Sequence, residues 1–260
     1  FVKRGDGLMR VLKMLLLGLT GAVLAHVPAS YADEARDLMQ KVLEGVPKVP
    51  FSAKIKLTSD RGWERSVTIL RAHQEDMEKI YLEVSAPNDM KDTRFLLFDR
   101  LNGKDEQWMY VPAMKRSVQL NNQTRKQEFL GSDFAVADLV RPELDAYAYK
   151  LVGEETLEGR VCQLVESLPK NAADEIYSKS IIAVDPKDLL IVRTLLFGSD
   201  NRPLKSWTID KYEKKDGYWT PLDQRMVNLQ NNRWSRIELL DVKYNAELPS
   251  DAFNKSYLTR

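Results

Sequence analysis

Cysteine and histidine are nearly missing from this 260-residue chain: Cys162 stands alone, and His26 and His73 are the two histidines. One cysteine excludes an intramolecular disulfide. It sits in the alternating run Arg160–Val165, where it reads as a small buried hydrophobe rather than a reactive thiol. So few imidazoles and thiols cannot build a histidine-based triad or a multi-histidine metal site, and neither metal nor cofactor is expected. An excess of one charge is missing too: 39 Lys and Arg face 38 Asp and Glu. Nucleic-acid binding as a global property is thereby excluded. There is no Gly-x-Ser-x-Gly, no phosphate-cradling glycine loop and no His-Glu-x-x-His. Carboxylates are plentiful, but nothing in the sequence pairs two of them, so acid/base catalysis is unmarked. The expectation is a protein that is not an enzyme.

Long apolar runs are also scarce. The one clear case, Leu15–Val27, follows the basic stretch Met9–Lys13 and precedes Ser30-Tyr31-Ala32, with small residues at −3 and −1 of a cleavage point before Asp33. That is the pattern of a secretory signal peptide, too short to span a bilayer well. No cysteine follows it, so no lipid anchor is expected. Residues 1–32 are therefore expected to be removed and 33–260 to form a single domain in the periplasm. Lys3, Arg4, Arg10 and Lys13 against Asp6 leave with the leader, which moves the net charge from +1 to −2. An N-terminal membrane anchor is the competing reading.

Asp33–Glu44 is amphipathic at helical spacing, with Ala35, Leu38, Met39, Val42 and Leu43 on one face; Gly45 and Pro47 end it. From Phe51 the period changes to two. Ile80, Leu82 and Val84 join Glu78 on one face of a strand whose other face carries Lys79, Tyr81 and Glu83. About 11 to 13 strands follow one another through short turns, so neighbours are expected to be antiparallel. Lys91–Val140 breaks the pattern. Three short strands give way to the polar, basic Asn121–Glu128, then to Phe129–Phe134 and a short apolar helix that must stop before Pro142. A meander of this size curls into a barrel or closes on a second layer. The fold expected is mainly β: an incomplete antiparallel barrel with an N-terminal helix and a short lid helix over an apolar cavity. Strands of about ten residues span roughly 33 Å, room for a fatty-acyl chain. A sheet packed on its helices with no cavity fits the alternation equally well.

The stretches Pro87–Thr93 with Phe95-Leu96, Gln107–Arg116, Gly131–Phe134, Tyr177–Lys179 with Val184-Asp185, Tyr218–Pro221 and Tyr244-Asn245 together resemble the outer-membrane lipoprotein-sorting protein family, the LolA/LolB-like periplasmic carriers. The resemblance runs from the leader to the C-terminus. It departs at Asp92, where a glycine often stands, and at Ala86, where the better-known carriers have a basic residue ahead of the proline. It implies an incomplete barrel that binds lipid chains and moves them between the envelope membranes, with no covalent chemistry. The cargo stays open between a lipoprotein and another envelope lipid.

Under that reading the expected acyl-chain contacts are Leu38, Met39, Val42, Ile55, Leu57, Ile80, Leu82, Leu96, Phe98, Phe134 and Leu139. Each is equally a candidate for plain core packing. Lys115, Arg116, Arg125 and Lys126 form a basic group suited to anionic headgroups or an acidic partner, or else a solvated loop. The partners implied are an inner-membrane exporter and an outer-membrane acceptor, with the carrier itself a monomer. The alternative is a periplasmic accessory subunit of a resistance-nodulation type exporter, working through protein contacts alone.

Overall fold

The computed structural model describes residues 29–100, 105–172 and 175–260. The basic and apolar parts of the expected leader lie outside the described residues. Helix α1 spans Ala29–Glu44, so helical backbone runs through the expected cleavage point. It ends where the Gly45 amide closes on the Lys41 carbonyl at 3.0 Å.

Thirteen strands follow: β1 Phe51–Ser59, β2 Glu64–Gln74, β3 Met77–Ala86, β4 Arg94–Arg100, β5 Glu106–Val111, β6 Arg116–Gln119, β7 Tyr147–Leu157, β8 Arg160–Pro169, β9 Lys179–Asp185, β10 Leu190–Phe197, β11 Pro203–Lys215, β12 Tyr218–Asn228 and β13 Trp234–Tyr244. They form one antiparallel sheet in the order β6-β5-β4-β3-β2-β1-β13-β12-β11-β10-β9-β8-β7. Every neighbour is the next strand in sequence except at the centre, where β1 pairs with β13, Leu57 opposite Ile237. The sheet is not closed. Its two edges, β6 and β7, are consecutive in the chain, so residues 120–146 must pass from one edge to the other.

The period-two pattern separates the faces. Ile55 and Leu57 of β1, Val67 of β2 and Ile80, Leu82 and Val84 of β3 share one core cluster. The opposite face of the central strands is bound by ion pairs: Arg236 Nε lies 2.6 Å from Asp223, and Lys54 Nζ lies 2.8 Å from Asp241. Helix α1 covers the inner face near β7. Its Ala35, Leu38, Met39 and Val42 pack with Tyr149, Val165, Ile182 and Val184, and Arg36 Nη2 bonds Asp145 at 2.6 Å.

Strand β4 is apolar on both faces, and the C-terminus explains why. The last turn, Lys255–Thr259, docks on the outer side of the sheet, where Leu258 is fully buried with Tyr81 and Leu96. Arg94 Nη1 donates to the Leu258 carbonyl at 3.0 Å while its Nε pairs with Glu83 at 2.8 Å. Just before β4, Asp92 takes a left-handed backbone, φ +65°. That region is open to glycine and, among other residues, to Asp and Asn most readily.

Candidate functional site

The concave face is a trough, and the segment between the two edges lies in it. The expected short helix takes the form of separate turns: α2 at Asn122–Arg125, then one-turn 3-10 segments at Phe129–Gly131 and Val136–Leu139. Leu130 and Gly131 both have positive φ, +51° and +70°, which reverses the chain where a helix would have to continue. Ser132 and Asp138 then bond backbone locally, Ser132 Oγ to the Phe129 carbonyl at 2.7 Å and the Ala135 amide to Asp138 at 2.7 Å, competing with a helical ladder.

This cover drives side chains into the trough. Phe129 and Phe134 are each 1 % exposed. Phe129 packs at 5.7 Å from Phe95, and Phe134 meets Trp207 edge-on at 5.8 Å. Val136 and Leu139 join the same cluster, with Met226 of β12 and Ile237 of β13 beneath.

Polar contacts fasten the cover at a few points. Arg65 Nη1 donates to the Leu130 carbonyl and Arg61 Nη2 to the Gly131 carbonyl at 2.6 Å. The Arg65 guanidinium is fixed over the Trp63 ring at 4.0 Å, a cation–π contact. On the far side Asp133, buried, bonds Ser235 twice: its amide donates to Ser235 Oγ at 2.9 Å, and that hydroxyl donates to Asp133 Oδ2 at 2.8 Å. Lys205 Nζ donates to the Asp133 carbonyl at 2.6 Å. Burial pushes the Asp138 carboxyl above its ordinary range, opposed by the Ala135 amide, by Lys205 and by the Tyr177 hydroxyl.

The expected acyl-chain contacts divide by location. Ile55, Leu57, Ile80, Leu82, Phe134 and Leu139 meet in the trough. Leu38, Met39 and Val42 lie on α1 against β7–β9, in a separate cluster. Leu96 and Phe98 stand on the outer face with Leu258; the trough side of β4 is Phe95 and Leu97. The basic group is also divided. Lys115 in the β5–β6 turn and Arg116 at the start of β6 are both exposed. Arg125 pairs with Asp105 at 2.8 Å, and Lys126 Nζ donates to the Glu175 carbonyl at 3.2 Å. Sequence reasoning missed Phe129, Trp207 and Met226. It also missed the latch: Arg65 and Leu130 are 65 residues apart, and no local signal joins them.

The trough changes character along its length. Down β3 the inner side chains are Val84, Leu82, Ile80 and then Glu78; down β4 they are Phe95, Leu97 and then Asp99; down β2, Val67, Ile69 and then Arg71. Glu78 stands opposite Asp99 on the neighbouring strand, and Asp105, just ahead of β5, is near enough for its charge to act on Asp99. Burial, Asp105 and Glu78 push the Asp99 carboxyl up to about 7. Among the described residues no three His, Cys, Asp or Glu are arranged to hold a metal ion, and no helix is long and apolar enough to cross a membrane.

A family model described only as uncharacterized-protein-like matches residues 76–260. No curated protein matches the chain. Among solved structures, a DUF1329 family protein from Desulfovibrio piger is similar with a TM-score of 0.83 and 23 % identity, over 88 % of this chain and 99 % of that one. An outer-membrane lipoprotein-sorting protein domain from Vibrio parahaemolyticus aligns with a TM-score of 0.82 and 23 % identity, over 88 % of this chain and 100 % of that one. A LolA superfamily protein from Nitrosomonas europaea aligns with a TM-score of 0.66 and 18 % identity, over 86 % and 98 %. At these identities the likeness is one of fold: the chain has the architecture of the lipoprotein-sorting domains.

Proposed function

We propose that this chain, which belongs to the uncharacterized-protein-like family matched over residues 76–260, is a periplasmic carrier. It takes the acyl chains of a lipoprotein or another envelope lipid into the trough and moves them toward the outer membrane without covalent chemistry. An inner-membrane exporter and an outer-membrane acceptor are the partners this role requires. The sorting-domain fold supports the reading, and one observation carries it. The trough is filled by Phe129, Phe134 and Val136 from a segment of short turns, not by a strand or long helix. Such a segment can leave without breaking the sheet ladder.

The energetics suit an exchange. Burying a methylene is worth about 0.8 kcal/mol, but an acyl chain leaving a membrane is already in apolar surroundings, so the trough must match the bilayer rather than outdo water. Phe129, Phe134 and Val136 hold the place of the cargo until it arrives. Its entry then costs the few polar contacts at Leu130, Gly131 and Asp133.

Native mass spectrometry of the purified protein after exposure to phospholipid vesicles, followed by lipid extraction, tests this. A bound lipid or acylated peptide at one per protein is expected. A lipid-free mass under every condition overturns the reading. It would instead favour the accessory subunit, for which one observation speaks: Val152, Val161 and Leu168 are large apolar side chains exposed on β7 and β8 at an open edge of the sheet.

A further inference from the structure

The ionic end of the trough gathers charged side chains from β2, β3, β4 and the covering segment. Arg71 lies 3.5 Å from Glu78, and Arg125 is paired with Asp105. Arg141, on the covering segment, feels Glu78, Arg71 and Asp99, yet its buried Nη2 has no hydrogen-bond partner among the described residues. Arg71 Nε meets Glu78 only as an ion pair, with no hydrogen bond formed, and Oε1 of Gln107, a side chain only 4 % exposed two residues along from Asp105 on the trough face, has no partner among the described residues. Asp99 carries no ion pair among the described residues, and Glu143 adds a further carboxylate beside Asp105 and Arg125. Buried polar atoms in folded proteins are nearly all partnered. Here an orphan donor, a weakly met one, an orphan acceptor and a carboxylate without an ion pair gather at one end of an apolar trough.

We propose that this end is a headgroup site for an amine-bearing, zwitterionic phospholipid of the phosphoethanolamine class. The phosphate is held by Arg71 and Arg141, the ammonium by Asp99 and Glu143, and the acyl chains run toward Leu82 and Phe95. The inference rests on the carrier reading and names its cargo. Charge decides the class. The three arginines are matched by Glu78, Asp105 and Glu143 while Asp99 holds its proton, so an anionic headgroup would leave this end net negative and give Asp99 no partner. A headgroup with both charges answers the unpaired groups of each sign. Burial, Asp105 and Glu78 favour the protonated form of Asp99; an ammonium beside it would favour the ionised form.

The test offers the purified protein vesicles of equal parts phosphatidylethanolamine and phosphatidylglycerol with the same acyl chains. The ratio of the two lipids bound is read by native mass spectrometry, and diacylglycerol of those chains serves as a headgroup-free probe. A preference for phosphatidylethanolamine of about tenfold or more is expected, falling toward unity in Asp99→Asn and in Arg141→Gln. Because both lipids are counted in one sample, the ratio survives any loss of protein to misfolding. Equal uptake of the two lipids by the unmodified protein overturns the proposal, as does a ratio unmoved in both variants, which would mark the site as filled by water only. Binding of neither phospholipid nor diacylglycerol would instead overturn the carrier reading, and the headgroup site with it.

Discussion

Arg65 donates a hydrogen bond to the carbonyl of Leu130, a residue held in left-handed backbone at φ +51°. The guanidinium cannot swing away freely, because it lies on the Trp63 ring and donates through Nε to Met90 Sδ at 3.1 Å. One arginine thus ties the reversal of the covering segment to strand β2.

Arg65→Ala is expected to loosen the cover and leave the sheet intact. A hydrogen bond from a charged donor is worth about 1.5–3 kcal/mol, so the amides of residues 129–139 should exchange hydrogen roughly 10- to 100-fold faster. Mass-resolved hydrogen exchange checks this. Equal acceleration across β1–β3 would mean that the latch holds the whole fold rather than the cover.

Phe134→Ala empties the centre of the trough beside Trp207. A buried phenylalanine cut to alanine costs about 3–5 kcal/mol where the surroundings cannot collapse. The cover can move, so the expected result is an opened segment with a native far-ultraviolet circular dichroism spectrum. Fluorescence of a dye that binds apolar surface should rise. A drop in melting temperature without added dye binding would show a cavity that stayed closed.

Asp99→Asn should stabilise the lipid-free protein. The native carboxyl titrates up to about 7 from an ordinary value of 3.8. Between those pH values the folded chain binds more protons than the unfolded one, so stability falls as pH rises through the window. The asparagine variant lacks that loss. Its advantage should be near zero at about pH 4 and full above about pH 7, reaching on the order of 1–2 kcal/mol after solvent screening. For a chain of this size that is about 2–8 °C in melting temperature. A difference independent of pH would argue against an unpaired Asp99. A fold more stable without this acid is what a group kept for binding rather than for stability should show.

Leu258→Ala probes the outer face. Leu258 is fully buried against Tyr81 and Leu96, and truncation should cost about 2–5 kcal/mol, read as a lower urea midpoint. The amides of residues 129–139 should keep their relative protection, because the docked turn and the cover lie on opposite sides of the sheet.

How far the fold could be read from the residues differs from strand to strand. On β3 the faces are legible because Lys79 and Glu83 alternate with Ile80 and Leu82. On β4 they are not. Arg94–Phe98 is apolar on both sides, since the trough claims Phe95 and Leu97 while the distant C-terminal turn claims Leu96. The cover was legible as a polar stretch leading to an apolar one, but not as turns: Leu130 is an ordinary helix former, and its left-handed backbone comes with contacts from Arg65 and, at Gly131, from Arg61 that no local signal announces. The ionic end was not legible either. Arg71, Glu78, Asp99 and Asp105 look like scattered surface charges until strand register sets them side by side.

The open edges β6 and β7 carry a last consequence. A closed barrel has a girth set by its strand number and stagger. A sheet with two free margins behaves as a C-shaped spring: its bore can widen by a small added twist at each of twelve strand pairings, with no ladder broken. The peptide running from one margin to the other acts as the drawstring. The space inside is therefore governed by how that string lies, and under the proposed carrier role a single chain could fit loads of unequal bulk.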